Sequence, residues 1–196
     1  MRITVKIGLL FAALWISLKL ILFATVTGAA RYDMTFAIMT NIFCLLMAIT
    51  LGLYLHKRKE TEYSNALGDI KNAMSAGVPY TIIVSIFLYF YYTKIDPAYN
   101  QHQRSEAAMQ LEKLLDNPTD LKAMRESNAE FEVMSKDQIR ESIVSNQRAM
   151  YSAQAVTTIS LLGMLILATF NSIFITIVMR KLVFRNPPPE NENQRI

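Results

Sequence analysis

The sequence predicts an all-α, polytopic membrane protein with four transmembrane helices and a helical extracytoplasmic insertion between the third and fourth. Three observations predict it. Apolar residues make up 52% of the 196 and are bunched into four blocks separated by charged segments. At about 1.5 Å per residue, a block of roughly 18 or more residues can cross a hydrocarbon core of about 30 Å. Lys and Arg are concentrated at one end of the blocks rather than scattered among them. Residues 1–185 therefore read as one four-span domain, with spans at about 7–27, 34–55, 76–93 and 155–179, and 186–196 as a disordered tail.

The first block, Ile7 to Thr27, follows the basic residues Arg2 and Lys6. Gly28-Ala29-Ala30 after it could pass for a signal-peptide cleavage site. The run is longer than the about 7–15 residues of a signal core and contains Lys19, which favours a retained span. Arg31-Tyr32-Asp33 leaves room only for a turn between antiparallel helices. The second block, Met34 to Leu55, carries no charged side chain, with Cys44 and Tyr54 its ionisable groups, and ends at His56-Lys57-Arg58-Lys59. Cys44 is the only cysteine, so no intrachain disulfide or thiolate cluster can form, and it reads as an inert buried thiol.

Between residues 60 and 77, Tyr63, Leu67, Ile70, Met74 and Gly77 recur at helical spacing, with Glu62, Asn65, Asp69 and Asn72 elsewhere on the wheel. The expectation is a short amphipathic helix on the cytoplasmic membrane surface, followed by a separate third span from Val78 to Tyr92. That span is short unless residues 73–77 partly enter the bilayer. Pro79 would occupy its first turn, where a missing N–H costs least. Tyr89-Phe90-Tyr91-Tyr92 is the kind of aromatic cluster found at headgroup level.

Residues 94–154 form the insertion. Ala107, Ala108, Leu111, Leu114 and Leu115 define one helix, which Asp116-Asn117-Pro118 breaks. Asn117 as N-cap with Pro118 behind it starts a second helix through Leu121 and Met124. Phe131 to Met134 reads as extended or irregular. Ser135 with Gln138 fits a capping box and opens a helix that the pattern carries through to Lys181, with a hinge conceivable at Gly163.

Orientation follows from the basic residues. If four helices alternate, Arg2, Lys6, residues 56–59, Lys71, Arg180, Lys181 and Arg185 share one side, and the insertion, where Asp and Glu outnumber Lys and Arg, lies on the other. The basic side is the cytoplasmic one, with both termini. A formal charge of +4 distributed this way is no sign of a nucleic-acid partner.

Lys19 is the one basic side chain deep in a span, a position that costs about 2.5–3.5 kcal/mol on insertion scales. It could meet Asn41 at similar depth, with Trp15 four residues earlier adding a cation–π contact, or it could snorkel to the interface. No Asp or Glu is expected inside any span, which argues against a proton- or sodium-coupled carrier. Small residues four apart (Gly8/Ala12, Ala24/Gly28, Ala48/Gly52, Ala168/Ser172) suit a packed bundle. His102 and Glu106 with Asp96 offer at best a weak metal site and read more simply as solvated groups. No catalytic motif, cofactor loop or metal set is expected.

Residues 66–77 leading into the third span, Tyr91-Tyr92-Thr93-Lys94-Ile95-Asp96-Pro97 and the ending from Ile173 to Arg180-Lys181 resemble a family of bacterial membrane proteins catalogued as domain of unknown function 4199 (DUF4199). The resemblance covers most of the chain. It implies four spans with a polar helical insertion before the last, in the bacterial inner membrane, and carries no catalytic residue.

The expectation is then a non-enzymatic interaction or assembly subunit. Leu111, Leu115, Ile139, Ile143 and Met150 would form its surface, and its partners would be the lipid bilayer and another protein or further copies of itself. The alternative is a small oligomeric transporter or channel with Lys19 facing an anion pathway.

Overall fold

The structure is a computed structural model and describes residues 2–27, 35–59 and 65–183. The turn at 31–33, the cleavage-like residues 28–30, the start of the 60–77 segment and the tail lie outside these. The described residues are helical almost throughout: α1 (Ile3–Thr25), α2 (Thr35–Lys57), α3 (Ala66–Phe90), a π-helical turn (Tyr91–Ile95), α4 (Pro97–Asp116), α5 (Pro118–Ser127), α6 (Ala129–Glu132), α7 (Lys136–Met150) and α8 (Ala153–Leu182). Among the described residues, four stretches are long and apolar enough to cross a membrane: Ile3–Thr25, Thr35–Lys57, Ala66–Ile95 and Ala153–Leu182.

The chain divides into two units. The first comprises Met1–Leu20, Thr35–Ile83 and Gly163–Ile196, and the second Ile21–Met34 and Val84–Leu162.

In the first unit the buried faces of α1 and α8 are rich in small and polar residues, while α2 buries Leu45, Ile49 and Leu53 beside Ala48 and Gly52. The buried stripe of α1 is Thr4, Gly8, Ala12, Trp15 and Lys19; that of α8 includes Ala168, Ser172 and Thr176. Leu10, Leu14, Phe43, Ile82, Ile166, Phe170 and Phe174 are exposed. Lipid tails are as apolar as leucine, so burying such side chains gains nothing, and packing instead selects residues that let backbones approach. Residues 76 and 77 of α3 are where this is tightest. A Cβ on Gly8 would collide with the Ala76 carbonyl, and one on Gly52 would come within 2.9 Å of the Ala76 Cβ. One on Gly77 would lie 3.2 Å from both Ala168 and Ile49. Helix α3 is therefore packed closely by α1, α2 and α8. Of the spaced small residues, Ala12, Ala48, Gly52, Ala168 and Ser172 are buried with Gly8, whereas Ala24 is exposed.

Three sequence expectations change here. Residues 66–77 form no separate surface helix; they are the first turns of α3, continuous with the span. Pro79 consequently lies in the helix interior rather than in a first turn. It leaves the Ser75 carbonyl without its usual donor, a loss that membrane helices tolerate. The buried face also differs in part: it carries Asp69, which the sequence set off the apolar face, together with Gly77. Leu67 is exposed, while Asp69, Ala73, Ala76 and Tyr80 line the interior.

In the second unit, α4 to α7 enclose a core of Leu111, Leu115 and Ile139, joined by Leu121, Met124, Phe131, Met134, Ile143 and Val144. Local sequence sets the boundaries. Asn117 accepts from the Thr119 N–H and Asn128 from the Glu130 N–H. Ser135 and Gln138 form the reciprocal capping box. Phe131 and Glu132, expected to be irregular, belong to the short α6. The single helix expected from Ser135 to Lys181 is two: α7 ends at Met150, and Ser152 caps α8 by accepting from the Ala155 N–H. Helix α8 then passes through Gly163 without a break.

Candidate functional site

Asp69 is the most unusual side chain of the first unit. Carried inward on the small-residue face of α3, its carboxylate is 1% exposed. Lys57, at the end of α2, places Nζ 3.0 Å from Oδ1. Arg180, in the last turns of α8, places Nη1 2.6 Å from Oδ2. One carboxylate thus ties three helices together at their basic ends. An ionised carboxylate buried alone would be prohibitive, and two charge-assisted partners make it tenable. The Lys57 side chain is 11% exposed and that of Arg180 36%, so the cluster opens to its surroundings on the arginine side.

A second polar node lies along the same helices. The Tyr80 hydroxyl donates to Asn41 Oδ1 at 2.6 Å and lies 3.1 Å from the Asn41 carbonyl. The Asn41 amide donates to Met164 Sδ at 3.4 Å. The Asn41 side chain, expected beside Lys19, is engaged by Tyr80 and Met164. Trp15 Nε1 donates to the Ala37 carbonyl at 3.3 Å, and Lys19 is buried on the same face of α1. Near one end, Thr4 and Ser75 share a 2.6 Å hydrogen bond between α1 and α3. Thr81, Ser172 and Thr176 bury hydroxyls that have no partner among the described residues.

The second unit holds an aromatic cluster at the π-helical turn. The Asp96 N–H reaches back five residues to the Tyr91 carbonyl at 2.8 Å. Such insertions recur at functional positions. The turn swings Tyr91 and Tyr92 inward and leaves Phe90 exposed, so only part of the aromatic run faces outward. Tyr92 stacks near Tyr99 with centroids 5.1 Å apart, and Tyr91 meets Phe23 edge-on at 5.8 Å. The Tyr91 hydroxyl lies 3.5 Å from Asp96 Oδ2. Burial pushes the Tyr99 phenol well above its ordinary range, with the neighbouring Tyr92 and Glu106 adding to the effect.

A family model described as a protein of unknown function (DUF4199) matches residues 6–181. The chain belongs to that family. No curated protein and no solved structure matches it. The DUF4199 match takes in Lys19, Asp69, Arg180 and the whole insertion, so both units are parts of one family domain.

Within this DUF4199 chain the expected interaction residues are distributed unevenly. Leu111, Leu115 and Ile139 are buried in the insertion's own core, and Ile143 packs against it. Only Met150 is open, at 59%. Other exposed apolar side chains of the insertion are Met109, Leu114 and Val133. His102 and Glu106 pair with each other at 3.3 Å. Asp96, counted with them in the sequence, is buried.

Sequence reasoning missed Asp69 as a site. The signal was present: Asp69, Ala73, Ala76 and Tyr80 follow at helical spacing, and all but the last are small or polar.

Proposed function

We propose that the chain is a multi-pass protein of the bacterial inner membrane with both termini cytoplasmic, and that it acts without catalysis as an interaction or assembly subunit. The insertion of residues 94–154, on the extracytoplasmic side, is its docking platform. The observation that supports this reading is the insertion's private core. Four short helices close around Leu111, Leu115 and Ile139 and are fixed by three side-chain caps. A segment that folds this completely can present Met109, Leu114, Val133 and Met150 on a rigid frame. The distribution of Lys and Arg supports the orientation.

Two experiments test the reading. Purification from native membrane in mild detergent should recover a stoichiometric second protein, and Val133→Asp with Met150→Asp should remove it while the chain stays folded. Recovery of a pure homo-oligomer that passes anions in liposomes would sink the proposal. For orientation, a Ser127→Cys variant lacking Cys44 should react with an impermeant thiol reagent from outside the cell. Labelling from the cytoplasm alone would reverse the topology.

A specific observation favours a second reading, a small oligomeric transporter or channel with Lys19 on an anion path. The chain does carry a buried carboxylate in a span helix, Asp69, and a buried Lys19, so one argument against a carrier is weaker than the sequence implied. Lys19→Met separates the readings, because it should abolish anion flux in the second and leave partner recovery unchanged in the first.

A further inference from the structure

Helices α4 and α7 enclose a groove of about 350 Å³. Arg104 and Gln101 from α4 and Gln147 and Arg148 from α7 supply its polar lining, over a floor of Ala108 and Val144. No carboxylate lines it, and neither arginine forms an ion pair among the described residues. The other two basic side chains that join α7 to α4 are different in this respect, because Lys136 and Arg140 are matched by Asp116 and Glu112.

Arg104 is held in place. Its Nη2 donates to the Tyr151 carbonyl at 3.2 Å, an acceptor made available because α7 stops there. Its Nε is buried and has no hydrogen-bond partner among the described residues. The same is true of Gln147 Oε1. The groove therefore combines a charged donor lacking an acceptor with a neutral acceptor lacking a donor. Buried polar atoms are nearly always bonded, and an exception calls for an explanation. Both atoms are covered in this structure, so a ligand carrying an oxyanion and a hydroxyl would bond them once the two side chains turn toward the groove.

We propose that this groove binds a hydroxylated phosphate ester of about glycerol phosphate size. Phosphate oxygens meet the Arg104 and Arg148 guanidiniums, whose planar donor forks match such oxyanions better than a point charge does. A ligand hydroxyl donates to Gln147 Oε1, and the carbon skeleton lies over Ala108 and Val144. The volume is at the small end of the range for ligand pockets, about 300–1,000 Å³, which suits such a molecule. The ester could be dissolved or could be a lipid headgroup. Arg104 lies in the first turns of α4, just after an apolar helix ends, and Arg148 in the last turn of α7, just before another begins.

The test uses the full chain in detergent and in nanodiscs. Glycerol 3-phosphate is titrated against the detergent-purified protein, and retention of phosphatidylglycerol over phosphatidylcholine is read from nanodiscs. Saturable binding of the first alone assigns a dissolved ester; preference for phosphatidylglycerol alone assigns a headgroup. In either case Arg148→Gln should weaken binding about tenfold, the loss of one charge-assisted contact. Gln147→Leu should reduce the preference for glycerol phosphate over inorganic phosphate, and Lys122→Gln, on an exposed side chain of α5, should change nothing. Arg104→Gln also removes the Tyr151 anchor and could unfold the end of α7. Arg148 is exposed and makes no hydrogen bond or ion pair among the described residues, so its variant decides. Absence of saturable binding to both probes, or unaltered binding in Arg148→Gln, overturns the proposal.

Discussion

Arg180 donates a 2.6 Å hydrogen bond to Asp69 across 111 residues of sequence. That bond fastens the end of the last span to the beginning of the third. With Lys57 on the other carboxylate oxygen, it is the only ion cluster among the described residues that joins three helices.

Removing the carboxylate takes a charged partner from each of two cations. Breaking a buried ion pair from one side costs about 3–5 kcal/mol, and the partial exposure of Arg180 lets it rehydrate, which places Asp69→Asn near the lower end. Lys57→Met should cost less, and the double variant should fall short of the sum because both act on one network. The measurement is unfolding in mixed micelles for the three variants. Additive losses would show that Asp69 and Lys57 are energetically independent.

Why Asp69 escaped the sequence reading is instructive. The helical wheel for residues 60–77 predicts a helix lying on the membrane, with Leu67 and Met74 on its apolar face and Asp69 off it. A span packed against other helices buries its small residues instead: Leu67 faces outward, and Ala73 and Ala76 carry Asp69 inward. Signals that act within a few residues were legible, because a cap or an apolar run of sufficient length acts locally. Asn117, Ser135 and Gln138 cap as the sequence indicated, and four helices of spanning length are present. The end of α7 was not legible. It depends on Ser152 and on Arg104, which reaches the Tyr151 carbonyl from 47 residues away. Nor does periodicity say what covers an apolar face, and so Leu111 and Ile139 were assigned to a partner when the insertion itself covers them.

Helix packing makes opposite predictions for two glycines. Gly8→Ala drives a Cβ into the Ala76 backbone, which cannot rotate away, so α1 and α3 must separate. Overpacking of this kind costs about 1–3 kcal/mol or more. Gly163→Ala meets nothing within 4 Å and should stabilise α8 by up to about 1 kcal/mol through helix propensity. Comparing the two unfolding midpoints checks both, and equal shifts would contradict the close approach at Ala76.

The Asp116–Lys136 pair links α4 to α7 with a 2.7 Å hydrogen bond. That bond, together with the Lys136 charge, holds the Asp116 carboxyl below its usual range. A depressed carboxylate stabilises the folded state above its unfolded pKa, and the contribution is lost as pH falls through the lower folded value. The link should therefore weaken only below about pH 4, the ordinary range for aspartate. Asp116 is fully exposed, so the effect is small and screened by salt. A carbon-13 titration of Asp116 should show the low value in the native chain and the ordinary one in Lys136→Met. An unchanged titration in that variant would remove Lys136 as the cause.

Tyr80 and Thr81 are neighbours on α3, both fully buried, with hydroxyls in opposite circumstances. The Tyr80 hydroxyl is bonded to Asn41; the Thr81 hydroxyl has no partner among the described residues. Tyr80→Phe leaves a half-buried amide oxygen without this donor and should cost about 1 kcal/mol. Thr81→Val preserves shape and removes a polar atom that gains nothing from its site, so it should be neutral or stabilising by about 1 kcal/mol. Mixed-micelle unfolding of the two variants measures the difference directly. Destabilisation by Thr81→Val would mean that this hydroxyl has a partner in the membrane, such as a water molecule, and would mark the α3 interior at Thr81 as hydrated.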